Sequence, residues 1–179
     1  MNLVREHIDF KRGIDPKDAM GIGQKVRIKN WLDKYFIETS EATRRSYYEI
    51  NDDLTIDVEG FFAMSWKGDF PQYIQFNKIY GNFIISNCEL TTLRGCPKIV
   101  VGIFECCSNL ITNLVGGPEE VDDYICSLNK NLKSLKGLAK KINGYIACNN
   151  KASLTKRNIP KGTIIKDRKK SNIHFWSQW

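Results

Sequence analysis

A 21-residue repeat runs through the middle of the sequence and restricts the fold more than any other feature. The segments 81–101 (GNFIISNCELTTLRGCPKIVV), 102–122 (GIFECCSNLITNLVGGPEEVD) and 123–143 (DYICSLNKNLKSLKGLAKKIN) align without a gap, and a weaker unit begins at Gly60. A unit this short cannot bury its own apolar face, and a fixed period of roughly 20 to 29 residues is typical of solenoids. The repeat therefore predicts a stack of similar coils.

The aligned units share several apolar columns and one glycine column. These columns are Phe83, Phe104, Ile125 and Ile146; Leu90, Ile111 and Leu132; Leu93, Leu114 and Leu135; Gly95, Gly116 and Gly137; and Val100, Val121 and Ile142. Each unit also has the leucine-rich-repeat spacing apolar-x-apolar-x-x-N/C-x-apolar, in which a short strand precedes a turn residue that satisfies backbone groups. That turn residue is expected to be Cys88, then Asn109, and then Lys130, which departs from the pattern.

The predicted fold class is an α/β repeat, namely a leucine-rich-repeat-like parallel β-solenoid with an N-terminal helical cap. Residues 1–50 form the predicted helical cap, in which Asp15-Pro16 resembles a helix start. The side chains expected near one face of that helix are Val26, Trp31, Leu32, Tyr35 and Phe36. Residues 51–150 form the predicted solenoid, and residues 151–179 form a basic C-terminal cap or tail.

The net charge of +7 is concentrated at the C-terminal end of the chain. Eight of the 27 basic residues but one of the 20 acidic residues follow residue 150, so the rest of the chain is neutral overall. No stretch approaches the roughly 20 apolar residues of a membrane span. The six cysteines are not accompanied by an apolar leader after Met1, which favours reduced thiols in a cytoplasm.

The repeat occurs together with two further segments, FKRGIDPKDAMGIG (Phe10 to Gly23) and INDDLTIDVEG (Ile50 to Gly60). In this combination the chain resembles a group of bacteriophage-encoded leucine-rich-repeat-like proteins. The resemblance implies a phage protein that acts in the cytoplasm of a bacterial host cell. It implies no catalytic residues.

The residue types that carry catalysis or hold metals are not arranged in a known pattern. The two histidines, His7 and His174, stand near opposite ends of the chain, and the cysteines lack the C-x-x-C spacing of a zinc site. Cys106 and Cys148 are instead expected to share a buried column with Ile85 and Ser127. We therefore expect no enzymatic activity, no cofactor and no metal.

The concave face of the predicted sheet is the first candidate for a binding surface. Its outward side chains would be largely apolar, with Glu105 as the one charged group, and such patches usually mark interaction sites. The residues expected to bind a protein are Ile84, Ile103, Glu105, Tyr124, Leu128 and Tyr145. A host protein, which would be inhibited or recruited, is the favoured partner, and a second copy of the chain is the alternative occupant of the face.

The C-terminal residues support a second hypothesis. Ile164 and Ile165 could pair with the sheet as one more strand, and the tryptophans that follow could cover exposed core. Alternatively, a basic and aromatic element could bind nucleic acid through Lys166, Arg168, Lys169, Lys170 and Trp176. A third hypothesis is that a cavity of the protein sequesters a small nucleotide signal of host antiviral defence.

Overall fold

The computed structural model describes residues 16–36, 47–64, 66–148 and 164–165, with the backbone alone for residues 16–19 and 164–165. The described parts of the chain form a parallel β-solenoid of about four turns with one N-terminal helix. The elements are α1 (Pro16–Tyr35), β1 (Tyr47–Ile50), β2 (Ile56–Glu59), β3 (Phe62–Ala63), β4 (Phe76–Tyr80), β5 (Phe83–Ile84), β6 (Ile99–Glu105), β7 (Glu120–Ile125), β8 (Lys141–Ile142), β9 (Tyr145–Ala147) and β10 (Ile164–Ile165). The solenoid that the repeat predicts is thus confirmed.

Each turn of the solenoid contributes to two parallel rows of strands. The first row contains β2, β4, the first half of β6, the first half of β7, and β8, and it aligns Ile79, Val100, Val121 and Ile142. The second row contains β3, β5, the second halves of β6 and β7, and β9. Alternate side chains of every strand point into the coil, which gives the chain one continuous apolar interior.

A column of aromatic rings runs through the interior behind the second row of strands. The rings of Phe62 and Phe83 stack with centroids 4.7 Å apart, and those of Phe83 and Phe104 stack with centroids 6.0 Å apart. All three side chains are fully buried. Because stacked coils repeat at about 4.8 Å, identical residues in one column lie within contact distance of each other, so the repeat itself builds the core.

The glycine column marks a corner of each coil. Gly95, Gly116 and Gly137 have φ angles of +92°, +90° and +90°, a conformation that favours glycine. A Cβ atom at Gly137 would lie only 2.4 Å from the backbone nitrogen of Val115 in the preceding coil. Glycine is therefore required at this corner both by the backbone conformation and by the closeness of the adjacent coil.

The helix begins at Pro16, as the Asp15-Pro16 pair predicts, and its second half packs on the core of the solenoid. Ile28, Trp31 and Leu32 are buried there. The prediction that Val26 belongs to the same face is wrong, because Val26 is 51% exposed. A helix with 3.6 residues per turn places Val26 outside the stripe that Ile28 and Leu32 share.

Additional strands flank the stacked coils at both ends. β1 pairs antiparallel with β2, and β10 pairs parallel with β9, so Ile164 and Ile165 do join the sheet as one more strand. The residues that follow Ile165, including Lys166, Arg168, Lys169, Lys170 and Trp176, lie outside the described residues. In the described parts of the chain, no helix has both the length and the apolar character needed to cross a bilayer.

A pair of glycine substitutions tests the stacking of the coils. Gly68 has a φ angle of +91° like Gly137, but a Cβ atom there would meet nothing within 4 Å. Gly68→Ala should therefore measure backbone strain alone, whereas Gly137→Ala adds a clash with the preceding coil. We expect the free energy of unfolding of Gly137→Ala to be lower than that of Gly68→Ala by about 2 kcal/mol or more in urea titrations. Equal losses of stability would contradict the close approach of the two coils.

Candidate interaction site

The third coil departs from the 21-residue alignment by one residue in its second strand. Phe104 pairs with Tyr124, and Glu105 pairs with Ile125, so the interior position belongs to Tyr124. The register shifts between Val100 and Ile103, and from Ile103 onward each residue pairs with a residue one position earlier than the alignment predicts. The prediction that Tyr124 lies on the outward face is therefore wrong, since a slip of one residue moves every side chain of a strand to the opposite face.

Tyr124 is fully buried at the end of the aromatic column. Its ring lies 4.9 Å from that of Phe104, and its hydroxyl oxygen lies near Gly117, where a Cβ atom would be only 3.0 Å away. The hydroxyl has no hydrogen-bond partner among the described residues, and burial raises the pKa of this phenol well above its usual value. The absence of a side chain at Gly117 thus gives the larger tyrosine ring its space.

A ladder of two buried asparagines turns the chain after the second row of strands. The side-chain oxygen of Asn109 accepts hydrogen bonds from the backbone N–H groups of Cys88 and Leu90, each at 3.1 Å. Its amide nitrogen donates to the carbonyl of Ile85 at 2.8 Å. Asn129, and not Lys130 as the alignment predicts, occupies the equivalent place in the next coil, where its oxygen accepts from the backbone N–H of Asn109 at 2.8 Å.

The side chains that point outward from the second row of strands form a surface that we call the outward face. Its three columns are Asn82, Ile103, Asp123 and Tyr145; Ala63, Ile84, Glu105, Ile125 and Ala147; and Ser86, Cys107 and Ser127. Cys107, Ile125 and Ala147 form a second apolar cluster, separate from the interior, with Ile103 and Tyr145 packed against it. The slip in the third coil thus contributes Ile125 to this face in place of Tyr124.

Two carboxylates and no basic groups lie among the described residues of the outward face. Glu105 accepts a hydrogen bond from the hydroxyl of Ser86 at 2.9 Å, and Asp123 accepts one from the backbone N–H of Tyr145, also at 2.9 Å. Burial, together with the charges of Asp123 and Glu105, raises the pKa of the Tyr145 phenol. The face is therefore apolar at its centre and electrostatically negative.

The remaining predicted protein-binding residues divide between this face and the adjacent turn. Ile84, Ile103 and Tyr145 are half-buried on the outward face, at the positions that the repeat predicts. Leu128 is 53% exposed, but it lies in the turn after β7 with a φ angle of +63°, so its predicted place on the sheet face is wrong. The one-residue slip again explains the difference, because it moves Leu128 from the strand into the turn.

Cys106, Cys126 and Cys148 form an interior column that also follows the slipped register. Cys106 and Cys126 are buried in that column, and Ser127, which the alignment assigns to it, lies on the outward face instead. Burial raises the pKa of the Cys106 thiol, and a hydrogen bond with Cys148 together with burial raises that of Cys126. No cluster of three or more histidine, cysteine, aspartate or glutamate side chains suited to a metal ion is found in the part of the chain that the structure describes.

A cleft of about 350 Å³ lies between α1 and the segment 66–73, where the sequence alone predicts no site. We call it the aromatic cleft. Its principal lining residues are Arg27, Trp31, Lys34, Tyr35, Trp66 and Tyr73. The helical spacing predicts that Trp31 and Tyr35 lie near one face of the helix, and it indicates no binding site there. The sequence holds no specific signal for the cleft, because its residues come from α1 and from the separate segment 66–73.

Comparison of this chain with protein-family models, with curated proteins and with solved structures finds no match. Its function is therefore inferred from the geometry of the outward face and of the aromatic cleft.

Replacement of Tyr124 by phenylalanine tests its inward orientation. Since the hydroxyl group is buried without a partner among the described residues, Tyr124→Phe should leave the free energy of unfolding unchanged or raise it by up to about 1 kcal/mol. Tyr80→Phe, at a tyrosine that is 49% exposed, is the matched control and should have no effect. A loss of more than about 1 kcal/mol in Tyr124→Phe would mean that the hydroxyl group makes a stabilising hydrogen bond.

Proposed function

We propose that this chain is a non-enzymatic binding module that engages a partner protein through the outward face. The resemblance to phage-encoded proteins makes a host bacterial protein the favoured partner, in the cytoplasm of the host cell. Inhibition of a host defence protein by stoichiometric binding is the consequence that we favour. No family match supports or opposes this proposal, which depends on the chemistry of the face itself.

The observation that carries the proposal is the apolar cluster outside the core. Ile125, Ala147 and Cys107 pack together on the side of the strands that points away from the interior and are 5 to 8% exposed, so the half-buried Ile103 and Tyr145 packed against them provide the apolar area that a partner can reach. This cluster is separate from the continuous core that the inward side chains of the strands form. Accessible apolar side chains that adjoin one another, as Ile84, Ile103 and Tyr145 do on this face, commonly serve as contact sites for another protein.

The charges of the face indicate the chemistry of the partner. Glu105 and Asp123 border the apolar cluster, and no lysine or arginine occurs among the described residues of the face. A partner segment that combines apolar side chains with lysine or arginine would complement both properties. A nucleic acid would be repelled by the same two carboxylates, so the face favours protein over nucleic acid.

The state of the buried thiols supports a role without catalysis. A nucleophilic cysteine acts as its thiolate and needs access to substrate. Cys96 and Cys106 are 2% and 0% exposed, and burial raises the pKa of both thiols well above the usual value. These two cysteines therefore serve packing.

The residues of the alternative nucleic-acid hypothesis lie outside the described residues, so no contact in the structure favours that hypothesis.

A charge reversal on the face provides the test. Tagged wild-type protein should retain a stoichiometric protein from a nuclease-treated bacterial lysate, and Glu105→Lys should reduce the captured amount at least about tenfold, because like charges would then meet in the interface. Glu59→Lys is the matched control, since Glu59 is an exposed strand residue in the other row and carries the same charge. The amounts are compared by quantitative mass spectrometry after both variants are shown to unfold at the wild-type temperature.

Equal capture by Glu105→Lys and Glu59→Lys would refute the assignment of the outward face. Capture that disappears on nuclease treatment of the lysate would instead favour nucleic-acid binding through the basic C-terminal residues.

A further inference from the structure

The aromatic cleft gathers ring systems that are held at different angles to each other. The rings of Tyr35 and Trp66 meet edge to face with centroids 4.7 Å apart, and those of Trp31 and Trp66 do so at 5.8 Å. The indole N–H of Trp66 donates to the carbonyl of Asp69 at 3.1 Å, which fixes the orientation of that ring. Trp31 is buried, whereas Tyr35 and Trp66 are half-buried and keep accessible ring surface on which a flat ligand can stack.

Two cations border these rings, and the described residues that line the cleft include no carboxylate. The guanidinium group of Arg27 lies over the ring of Tyr73 at 3.9 Å, and the amine of Lys34 lies 5.0 Å from the centre of the Tyr35 ring. Asn30 and Pro71, which complete the lining, are neutral. The cleft is therefore electropositive, although the body of the chain is neutral overall.

The cations of the cleft differ from their neighbours on the same helix. Lys25 pairs with Asp52 at 3.0 Å, and Lys29 pairs with Asp33 at 2.5 Å. Within the described residues neither Arg27 nor Lys34 pairs with a carboxylate, and both make only contacts with aromatic rings. Such cations retain the capacity to bind an anionic ligand such as a phosphate.

One buried donor in the wall of the cleft has no acceptor in the part of the chain that the structure describes. The side chain of Trp31 is 5% exposed, and its indole N–H makes no hydrogen bond within the described residues. Buried N–H groups almost always have a partner, so an orphan donor beside a cleft is an unusual feature. The cleft has a volume of about 350 Å³ and is open to solvent rather than enclosed.

We propose that the aromatic cleft binds a nucleoside phosphate, whose base stacks on the aromatic rings while its phosphate contacts Arg27 and Lys34. The ligand is a planar aromatic group that carries a negative charge, because the rings select the first property and the cations the second. This inference goes beyond the protein-binding function and uses none of the residues of the outward face. A free nucleotide and the end of a nucleic-acid strand share this chemistry, and the experiment below separates them.

Tryptophan fluorescence and the indole N–H resonances of the full-length protein provide the test. Two of the four tryptophans, Trp176 and Trp179, are replaced by phenylalanine so that the signal comes from Trp31 and Trp66. AMP, GMP, CMP and UMP are titrated separately, and at least one should quench the fluorescence saturably and shift the two indole resonances. Adenosine, which has the ring without the charge, and inorganic phosphate, which has the charge without the ring, should bind at least about tenfold more weakly.

Arg27→Gln and Lys25→Gln form the matched pair of variants. Both remove one positive charge from the same helix, but only Arg27 lines the cleft. Arg27→Gln should raise the Kd at least about tenfold, and Lys25→Gln should change it less than about twofold. A five-nucleotide single strand that binds more tightly than any mononucleotide identifies a strand end as the ligand, and weaker binding identifies the free nucleotide.

The absence of both quenching and indole shifts with all four nucleotides up to about 10 mM would overturn the proposal. Equal affinities of Arg27→Gln and Lys25→Gln would do the same, because the ligand would then bind elsewhere. Neither result would affect the protein-binding function, which is tested on Glu105.

Discussion

The buried amide of Asn109 is the interaction on which the turning of the coils depends. At this corner the chain leaves a strand inside an apolar core, where the backbone N–H and carbonyl groups have no water to bind. The side-chain oxygen of Asn109 accepts hydrogen bonds from the backbone N–H groups of Cys88 and Leu90, and its amide nitrogen donates one to the carbonyl of Ile85. Asn129 extends this ladder into the next coil. A side chain with both a donor and an acceptor is required, so aspartate or leucine of similar size would leave backbone groups unsatisfied.

The slip of one residue in the third coil shows that the coils tolerate a local change of length between fixed points. Val100 pairs with Val121 and the buried Leu132 keeps its place in the apolar column, whereas the strand and turn between them are displaced by one residue. The hydrogen bonds of the asparagine ladder span 21 residues from Cys88 to Asn109 and 20 from Asn109 to Asn129. The displaced strand keeps its pairing but exchanges its faces, and this is how Ile125 and Asp123 come to lie on the outward face.

Much of the fold follows from the sequence, because stacked coils place equivalent residues in contact. The repeat predicted the solenoid, the buried phenylalanine column, the glycine corners and the outward position of Ile84, Ile103 and Tyr145. It misplaced Tyr124 and Leu128. This coil lacks one residue before its second strand and has one additional residue after the following turn, and an ungapped alignment cannot represent such a pair of changes. Matching Asn109 to Asn129 and Cys106 to Cys126 would have revealed it. The aromatic cleft was beyond such reasoning, since its residues meet only when α1 packs beside the segment 66–73.

Native-state amide hydrogen exchange at Cys88 and Leu90 tests the central claim, that the buried side chain of Asn109 holds the turn of the chain against the preceding coil. The account predicts that both amides are strongly protected in the wild-type protein, and that Asn109→Ala abolishes this protection while the exposed control Asn143→Ala preserves it. Rapid exchange of both amides in the folded wild-type protein, or unchanged protection in Asn109→Ala, would contradict the account.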